Sequence, residues 1–106
     1  MSRRVVVTGV GLLTPLGIGT ELSWAAILAS KSGIAGITAF DATAFSCRIA
    51  GEVKGFDPGN YIEKKEIKKM GRFIQFAIAA ADFALKDSAL KVTPDIAEEV
   101  DRKSVV

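Results

Sequence analysis

The chain has 106 residues, a length that fits one small domain or part of a larger one and excludes two ordinary domains. Its 49% hydrophobic and 25% charged residues are typical of a folded protein, and a formal charge of +2 provides no strong overall field for nucleic acid or an anionic membrane. It has no histidine and one cysteine, Cys47. That composition excludes a disulfide framework, a CxxC zinc site and histidine-based acid–base catalysis within these residues.

The first predicted element is a buried strand at residues 3–8. Two arginines precede three consecutive valines and a threonine, and an apolar run without alternation is typical of a strand covered on both faces by helices. A glycine-punctuated loop over residues 9–19 follows. It leads into a predicted helix that ends near Ser30 and is capped by Thr20 or Ser23, both of which are residue types that favour helix N-termini.

The loop contains Gly9-Val10-Gly11, which partly matches the dinucleotide-binding fingerprint. That fingerprint needs a third small residue and a helix that starts at once, so that the pyrophosphate lies at the helix N-terminus. Thr14 stands where the third small residue of the fingerprint would be, and Pro15 follows it. No acidic residue ends a matching second strand about twenty residues later. We therefore interpret the glycines as a tight structural turn and expect no cofactor and no metal.

Residues 45–53 alternate between apolar and polar side chains, which predicts a half-exposed strand. Cys47 lies on the apolar face of this pattern, between Phe45 and Ile49. A catalytic cysteine needs a neighbouring base or a helix N-terminus to stabilise its thiolate, and the chain has no histidine. We interpret Cys47 as a packed structural thiol and predict no catalytic residue in the chain.

The longest predicted helix runs from Ile62 to Asp87, with an interruption at Gly71. Between Arg72 and Leu85 its apolar and small residues surround the helix almost completely, so it needs partners on several sides. Pro94 is predicted to start one more helix. These elements are too few to cover both this helix and a doubly buried strand, so we expect an incomplete unit that folds poorly alone.

No segment is predicted to cross a membrane. The apolar stretch from Phe73 to Leu85 contains Gln75 and Asp82 and is shorter than the roughly 20 residues that span a bilayer. We expect a soluble, cytoplasmic protein.

A cluster of basic residues begins the long helical region, with Glu66 as the one acid among them. On a continuous helix, four of the cations would follow i, i+3, i+4 and i+7 spacing and form one stripe suited to an anionic partner. These four are Lys65, Lys68, Lys69 and Arg72. Nucleic acid is disfavoured as that partner because no aromatic residues alternate with the lysines. A solvated lysine face is an equally good interpretation. The cluster consists of Lys64, Lys65, Lys68, Lys69 and Arg72.

Several stretches of the chain match a known family in the same order. They are Arg4-Val5-Val6-Val7-Thr8-Gly9-Val10-Gly11, Thr14-Pro15-Leu16-Gly17, Trp24-Ala25-Ala26-Ile27-Leu28-Ala29, Ser32-Gly33-Ile34, Lys54-Gly55-Phe56-Asp57-Pro58, Lys64-Lys65-Glu66, Lys68-Lys69-Met70, Phe73-Ile74-Gln75-Phe76-Ala77 and Asp87-Ser88-Ala89-Leu90. Over about residues 3–100 the chain resembles the β-ketoacyl-acyl carrier protein synthases, the condensing enzymes of fatty-acid synthesis. The two lysine-rich stretches and the one beginning at Lys54 point to the synthase II branch.

The resemblance implies an α/β chain that forms the N-terminal part of a thiolase-like fold, which is layered α/β/α/β/α in the full-length family. It implies a homodimeric acyltransferase that lengthens acyl chains by decarboxylative Claisen condensation with malonyl-loaded acyl carrier protein. The family uses a cysteine and two histidines for this chemistry. Cys47 does not align with that cysteine, so no catalytic residue carries over, and this chain is expected to be inactive alone.

What the resemblance does carry over is a docking patch for acyl carrier protein. In synthase II the counterparts of Lys65, Lys68 and Lys69 meet acidic residues of the carrier, and Lys64 and Arg72 are their neighbours. Two other functions stay open: a non-enzymatic module that holds an acidic protein on its lysines, and a polyketide-type ketosynthase paralogue.

The last six residues, 101–106, depart from the family pattern, which continues into another buried strand. They resemble the translation of a sequencing-adaptor oligonucleotide. We therefore expect residues 1–100 to be the N-terminal part of a β-ketoacyl synthase N-terminal domain, and residues 101–106 to be a non-native tail left by truncation.

Overall fold

The computed structural model describes residues 2–100, so the predicted tail at 101–106 lies outside the described residues. Within residues 2–100, two short antiparallel ladders and three helices make up the regular structure, together with two 3₁₀ turns at Pro58–Asn60 and Ala97–Glu99. In chain order the strands and helices are β1 (Leu13–Thr14), β2 (Gly17–Ile18), α1 (Thr20–Leu28), β3 (Ile34–Gly36), β4 (Ile49–Gly51), α2 (Lys64–Ile67) and α3 (Arg72–Ser88).

The helix expected after the glycine loop is confirmed as α1, but the predicted caps are wrong. Gly19 occupies the N-cap position with a φ of 110°, and no side chain caps the helix. The Thr20 hydroxyl accepts a hydrogen bond from the Leu12 amide and donates one to the Val10 carbonyl. The buried Ser23 hydroxyl likewise bonds back to the loop. Both hydroxyls hold the loop on α1 rather than capping the helix.

The strand predicted at residues 3–8 does not form. This segment has no ladder partner among the described residues, and Val5 is 88% exposed. A strand is stable only when a neighbouring strand satisfies its backbone groups, so an apolar β-branched run cannot form one by itself. The described part of the chain supplies neither the neighbouring strand nor the helices that would cover its faces.

The strand predicted at residues 45–53 is confirmed only over β4, which pairs with β3 in the register Ala35↔Ala50. Phe45, Cys47 and Ile49 are all exposed, so the interpretation of Cys47 as a packed thiol is wrong. The alternation is present, but no other layer covers the face that it defines in the described chain. The apolar side chains on that face therefore remain in solvent.

The interruption predicted at Gly71 is confirmed. The helical region divides into α2 and α3, and Gly71 is the N-cap of α3. Only one side of α3 is well covered: Gln75 and Ala79 are buried, whereas Phe73 is 77% exposed. The helix predicted from Pro94 is reduced to the 3₁₀ turn Ala97–Glu99.

The described residues bury very little apolar surface. Their buried hydrophobic residues are Ala26, Ala42, Phe56 and Ala79. The radius of gyration is 17.0 Å, against about 13 Å for a compact domain of about 100 residues. As the sequence predicted, the chain presents more apolar surface than it covers. No helix within residues 2–100 is both long enough and apolar enough to span a membrane.

The glycine loop packs directly on the backbone of α3. A Cβ atom at Gly9 would lie 2.5 Å from the Ala84 carbonyl oxygen, and one at Gly11 would overlap the Ala80 carbonyl oxygen. The Val10 amide in between donates a 2.9 Å hydrogen bond to the Asp87 carboxylate. The two glycines therefore allow the loop and helix backbones to touch, whereas the tight turn predicted at these positions does not form.

Glu52 joins β4 to the loop that follows β3. Its carboxylate accepts hydrogen bonds from the Thr38 and Ala39 amides and from the Thr38 hydroxyl, at 2.9–3.2 Å. The bond from the Thr38 amide, then those from the Ala39 amide and the Thr38 hydroxyl, hold the pKa of Glu52 below its ordinary value. Both oxygens are engaged, so Glu52 is a clamp between two segments and is not positioned to act as a general base.

Replacing Gly11 with Ala is expected to lower the free energy of unfolding by about 1–3 kcal/mol, because the added methyl group meets helix backbone that cannot move aside. Denaturant unfolding followed by circular dichroism measures the change. The matched control is Gly36→Ala, since a Cβ atom at Gly36 has nothing within 4 Å. Equal destabilisation by both substitutions would contradict the close approach of loop and helix.

Replacing Glu52 with Gln is expected to remove a pH dependence from the loop that follows β3. The folded pKa of Glu52 lies below its ordinary value of 4.5. Its stabilising effect is therefore complete above pH 4.5 and is lost as the pH falls through the lowered pKa. In the wild type, the protection of the Thr38 and Ala39 amides from hydrogen exchange should fall as the pH is lowered. In the variant, the protection of these amides should be low at every pH. Because Asp41 also has a lowered pKa, a parallel fall in both proteins would assign the effect to another group.

Candidate functional site

The four lysines of the basic cluster, Lys64, Lys65, Lys68 and Lys69, lie on α2 and the turn that follows it. Glu63 is the N-cap of α2, and Lys68 is its C-cap. Backbone hydrogen bonds from Lys69 to Glu66 and from Met70 to Ile67 continue the turn to the start of α3. The side chain of Lys65 is 78% exposed, and that of Lys69 is 72% exposed. The cations therefore extend into solvent from one short, turned segment.

Two glutamates lie close to these lysines. Lys65 Nζ is 3.7 Å from Glu63 Oε2, and Lys69 Nζ is 3.8 Å from Glu66 Oε1. Both pairs are long and solvent-exposed, and pairs of this kind contribute little to stability. Among the described residues, no ion pair involves Lys64 or Lys68. Over residues 63–69, four lysines against two glutamates leave a net charge of +2.

The single basic stripe expected from a continuous helix is wrong. Because α2 ends at Ile67 and α3 starts at Arg72, the i+7 position belongs to a different helix. The Arg72 guanidinium lies over two aromatic rings, 5.4 Å from the centre of Phe56 and 5.3 Å from that of Phe76. The structure therefore keeps the four lysines together on one segment and directs Arg72 to an aromatic cluster.

That aromatic cluster adjoins the lysine segment, residues 62–71, since Tyr61 directly precedes the segment and Arg72 directly follows it. Phe56 is 8% exposed; it stacks on Tyr61 with ring centres 5.7 Å apart and meets the edge of Phe76 at 5.2 Å. Tyr61 in turn contacts Phe83 edge-on at 5.4 Å. Sequence analysis missed this cluster, since Phe56 and Tyr61 lie in the segment before the helices and share no period with Phe76 and Phe83 of α3. The available signals were the short spacing of Phe56 and Tyr61 around the turn at Pro58, and the seven-residue spacing that places Phe76 and Phe83 on one face of a helix.

A shallow depression opens among the lysines. Its lining is mostly apolar, and the residues around it are Lys64, Lys65, Ile67 and Lys68. Positive charge around an apolar floor suits a partner surface that carries carboxylates beside an aliphatic side chain. The segment has no nucleophile and no acid–base group of the kind that condensation requires.

Comparison with known proteins identifies relatives over nearly all of the chain. The family model described as "Beta-ketoacyl synthase, N-terminal domain" matches residues 2–101. The 3-oxoacyl-[acyl-carrier-protein] synthase 2 of Vibrio cholerae is 53% identical over 98 residues, which are 92% of this chain and 24% of that protein. The protein of the same name from Staphylococcus aureus (strain COL) is 39% identical over 99 residues, 93% of this chain and 24% of its own length. The chain thus spans about a quarter of the length of these curated relatives.

A solved structure agrees with these relatives. The ishigamide ketosynthase/chain length factor superposes with a TM-score of 0.76 at 42% sequence identity, covering 84% of this chain and 22% of that one. The small ladders and the helices of this chain therefore belong to an α/β ketosynthase architecture. The predicted fold class, the N-terminal part of a thiolase-like fold, is confirmed.

Proposed function

The chain belongs to the β-ketoacyl synthase family, and on this premise we propose that it carries the carrier-docking surface of a 3-oxoacyl-[acyl-carrier-protein] synthase 2. An enzyme of this type lengthens an acyl chain by two carbons in fatty-acid biosynthesis, through decarboxylative Claisen condensation with malonyl-loaded carrier. Support comes from the names of the curated relatives and from 53% identity to the Vibrio cholerae protein. The whole enzyme would be a cytoplasmic homodimer, as the family resemblance implies.

The observation that carries the docking role is the exposure of four lysines within the lysine segment, residues 62–71. Long cationic side chains steer an acidic partner toward the surface and fix its orientation once it arrives. Glu63 is exposed and Glu66 is partly exposed, and both ion pairs are long and weak enough to give way when a carrier carboxylate approaches. Lys64, Lys65, Lys68 and Lys69 then hold the carrier while its phosphopantetheine arm delivers the acyl group.

We place no catalytic group within these residues. The chain has no histidine to assist decarboxylation or to stabilise an oxyanion. Its cysteine, Cys47, is exposed, and its Sγ lies 3.5 Å from the Ile49 carbonyl oxygen, which cannot act as a base.

The purified 106-residue chain is therefore expected to form no 3-oxoacyl product from acyl- and malonyl-loaded carrier. Mass spectrometry of the carrier species measures the product directly, and the Vibrio cholerae relative serves as the positive control. Product formation above the uncatalysed background would show that condensing groups lie within these residues.

Charge reversal on the segment is expected to weaken carrier binding. Lys65→Glu and Lys69→Glu should each lower affinity for acyl carrier protein by roughly tenfold, since each replaces an exposed attraction with a repulsion of similar size. Affinity is measured by calorimetry, both with the chain and with a chimera in which residues 3–100 replace the matching segment of the Vibrio cholerae relative. The control, Lys31→Glu, makes the same charge change after α1. Unchanged affinity in both lysine variants would overturn the docking role.

A second candidate is a ketosynthase of polyketide type with the same start. The observation that favours it is the 42% identity to the ishigamide ketosynthase/chain length factor. Affinities measured for two carrier proteins, one from fatty-acid synthesis and one from polyketide synthesis, distinguish the two candidates. A fatty-acid synthase should bind the fatty-acid carrier more tightly, whereas a polyketide enzyme should prefer the carrier of its own cluster.

A further inference from the structure

The lysine segment, residues 62–71, is closed at its base by one aromatic ring. Tyr61 immediately precedes the segment and Arg72 immediately follows it, and both contact Phe56. The Tyr61 ring stacks on Phe56 with an angle of 2° between the planes, and the Arg72 guanidinium lies 5.4 Å from the Phe56 centre. The two ends of the segment therefore meet at a single side chain.

We propose that Phe56, Tyr61 and Arg72 form a clasp that positions the docking lysines, and that Arg72 is a positioning residue rather than a contact to the carrier. The inference deepens the proposed function and rests on it for the identity of the partner. It reassigns Arg72, which the sequence grouped with the lysines.

The clasp has the geometry of a stable contact. Phe56 is buried, and the Arg72 guanidinium lies over Phe76 as well as Phe56, so two ring faces attract one cation. Edge-to-face contacts of Phe56 with Phe76 and of Tyr61 with Phe83 attach the clasp to α3. Arginine suits this place because its planar, weakly hydrated guanidinium stacks on aromatic rings better than an ammonium group does.

The segment between the ends of the clasp cannot order itself. Its helix, α2, has four residues, far below the roughly 12–15 at which an isolated helix becomes even marginal in water. The few hydrogen bonds within the segment each close a single turn, and its two ion pairs are long and accessible to solvent. Order must come from its ends, where the Tyr61 and Ile62 amides bond to the Pro58 carbonyl beside the clasp.

A clasp of this kind separates charge from position. Four lysines supply the attraction for an acidic surface, whereas Arg72 and the rings decide where those lysines point. Opening the clasp should leave every docking charge in place while widening the range of orientations that the lysines sample. Affinity should then fall without any loss of ionic contacts in the bound state.

The first experiment tests the clasp without any partner. In the chimera, hydrogen exchange of the amides of residues 62–71 is compared among wild type, Arg72→Met, Arg72→Lys and Phe56→Leu. Arg72→Met and Phe56→Leu should accelerate exchange by about tenfold, because the ends of the segment separate. The control, Lys68→Met, removes a charge outside the clasp and should leave exchange unchanged. Unaltered exchange in Arg72→Met overturns the clasp. If Phe56→Leu does not fold, the two Arg72 variants, of which Arg72→Lys is the milder change, still test it.

The second experiment tests the role of Arg72 in binding. Carrier affinity is measured against salt concentration, since the steepness of the salt dependence reports the number of charges that act on the partner. Arg72→Met should lower affinity and keep the steepness, whereas Lys68→Met should reduce the steepness. A reduced steepness in Arg72→Met, or full recovery of affinity in Arg72→Lys, would make Arg72 a carrier contact and overturn its positioning role.

The two experiments also keep this inference apart from the proposed function. If Lys65→Glu and Lys69→Glu do not alter carrier affinity, the docking role fails. Hydrogen exchange still decides whether Phe56, Tyr61 and Arg72 close the segment. If exchange is unaltered while the lysine variants lose affinity, the clasp fails and the docking role stands.

Discussion

The packing of backbone and aromatic rings against α3 holds the separate parts of the chain together. The glycine loop lies on one stretch of the helix, where Gly11 meets the Ala80 carbonyl. Phe56 and Tyr61 contact other positions of it, at Phe76 and Phe83. Each contact depends on a small or flat group that can come close. Because the rest of the regular structure is short, these contacts fix where the glycine loop and the segment around Phe56 and Tyr61 lie.

This arrangement explains how a chain with little core presents a defined surface. The lysine segment has few hydrogen bonds of its own, but it begins and ends on rings that are attached to α3. In the docking site that we propose, two functions are supplied by different residues. Exposed lysines supply long-range attraction, which needs solvent access, and packed aromatic rings, of which Phe56 is buried, supply position, which needs close contact.

Local patterns predicted local structure well. Thr20–Leu28 is a helix, and Gly71 interrupts the long helical region, because helix propensity and backbone freedom act over a few residues. The strand expected at residues 3–8 and the covered face expected at Cys47 were wrong for one shared reason. A strand and a buried face exist only when a distant segment pairs with them or covers them, and no described segment does so.

The amino-acid sequence by itself determined the family, the position of the lysines and the absence of histidine, since each is a property of residue order or composition. Only the tertiary structure decided where the Arg72 side chain lies. In the sequence it is one more cation at helical spacing, whereas in the fold it leaves that spacing and lies over Phe56 and Phe76. Phe76 follows Arg72 by one turn of α3, so that contact is local, whereas Phe56 lies in a different part of the chain. The contact between Arg72 and Phe56 depends on how the chain turns back on itself, and no local sequence pattern predicts it.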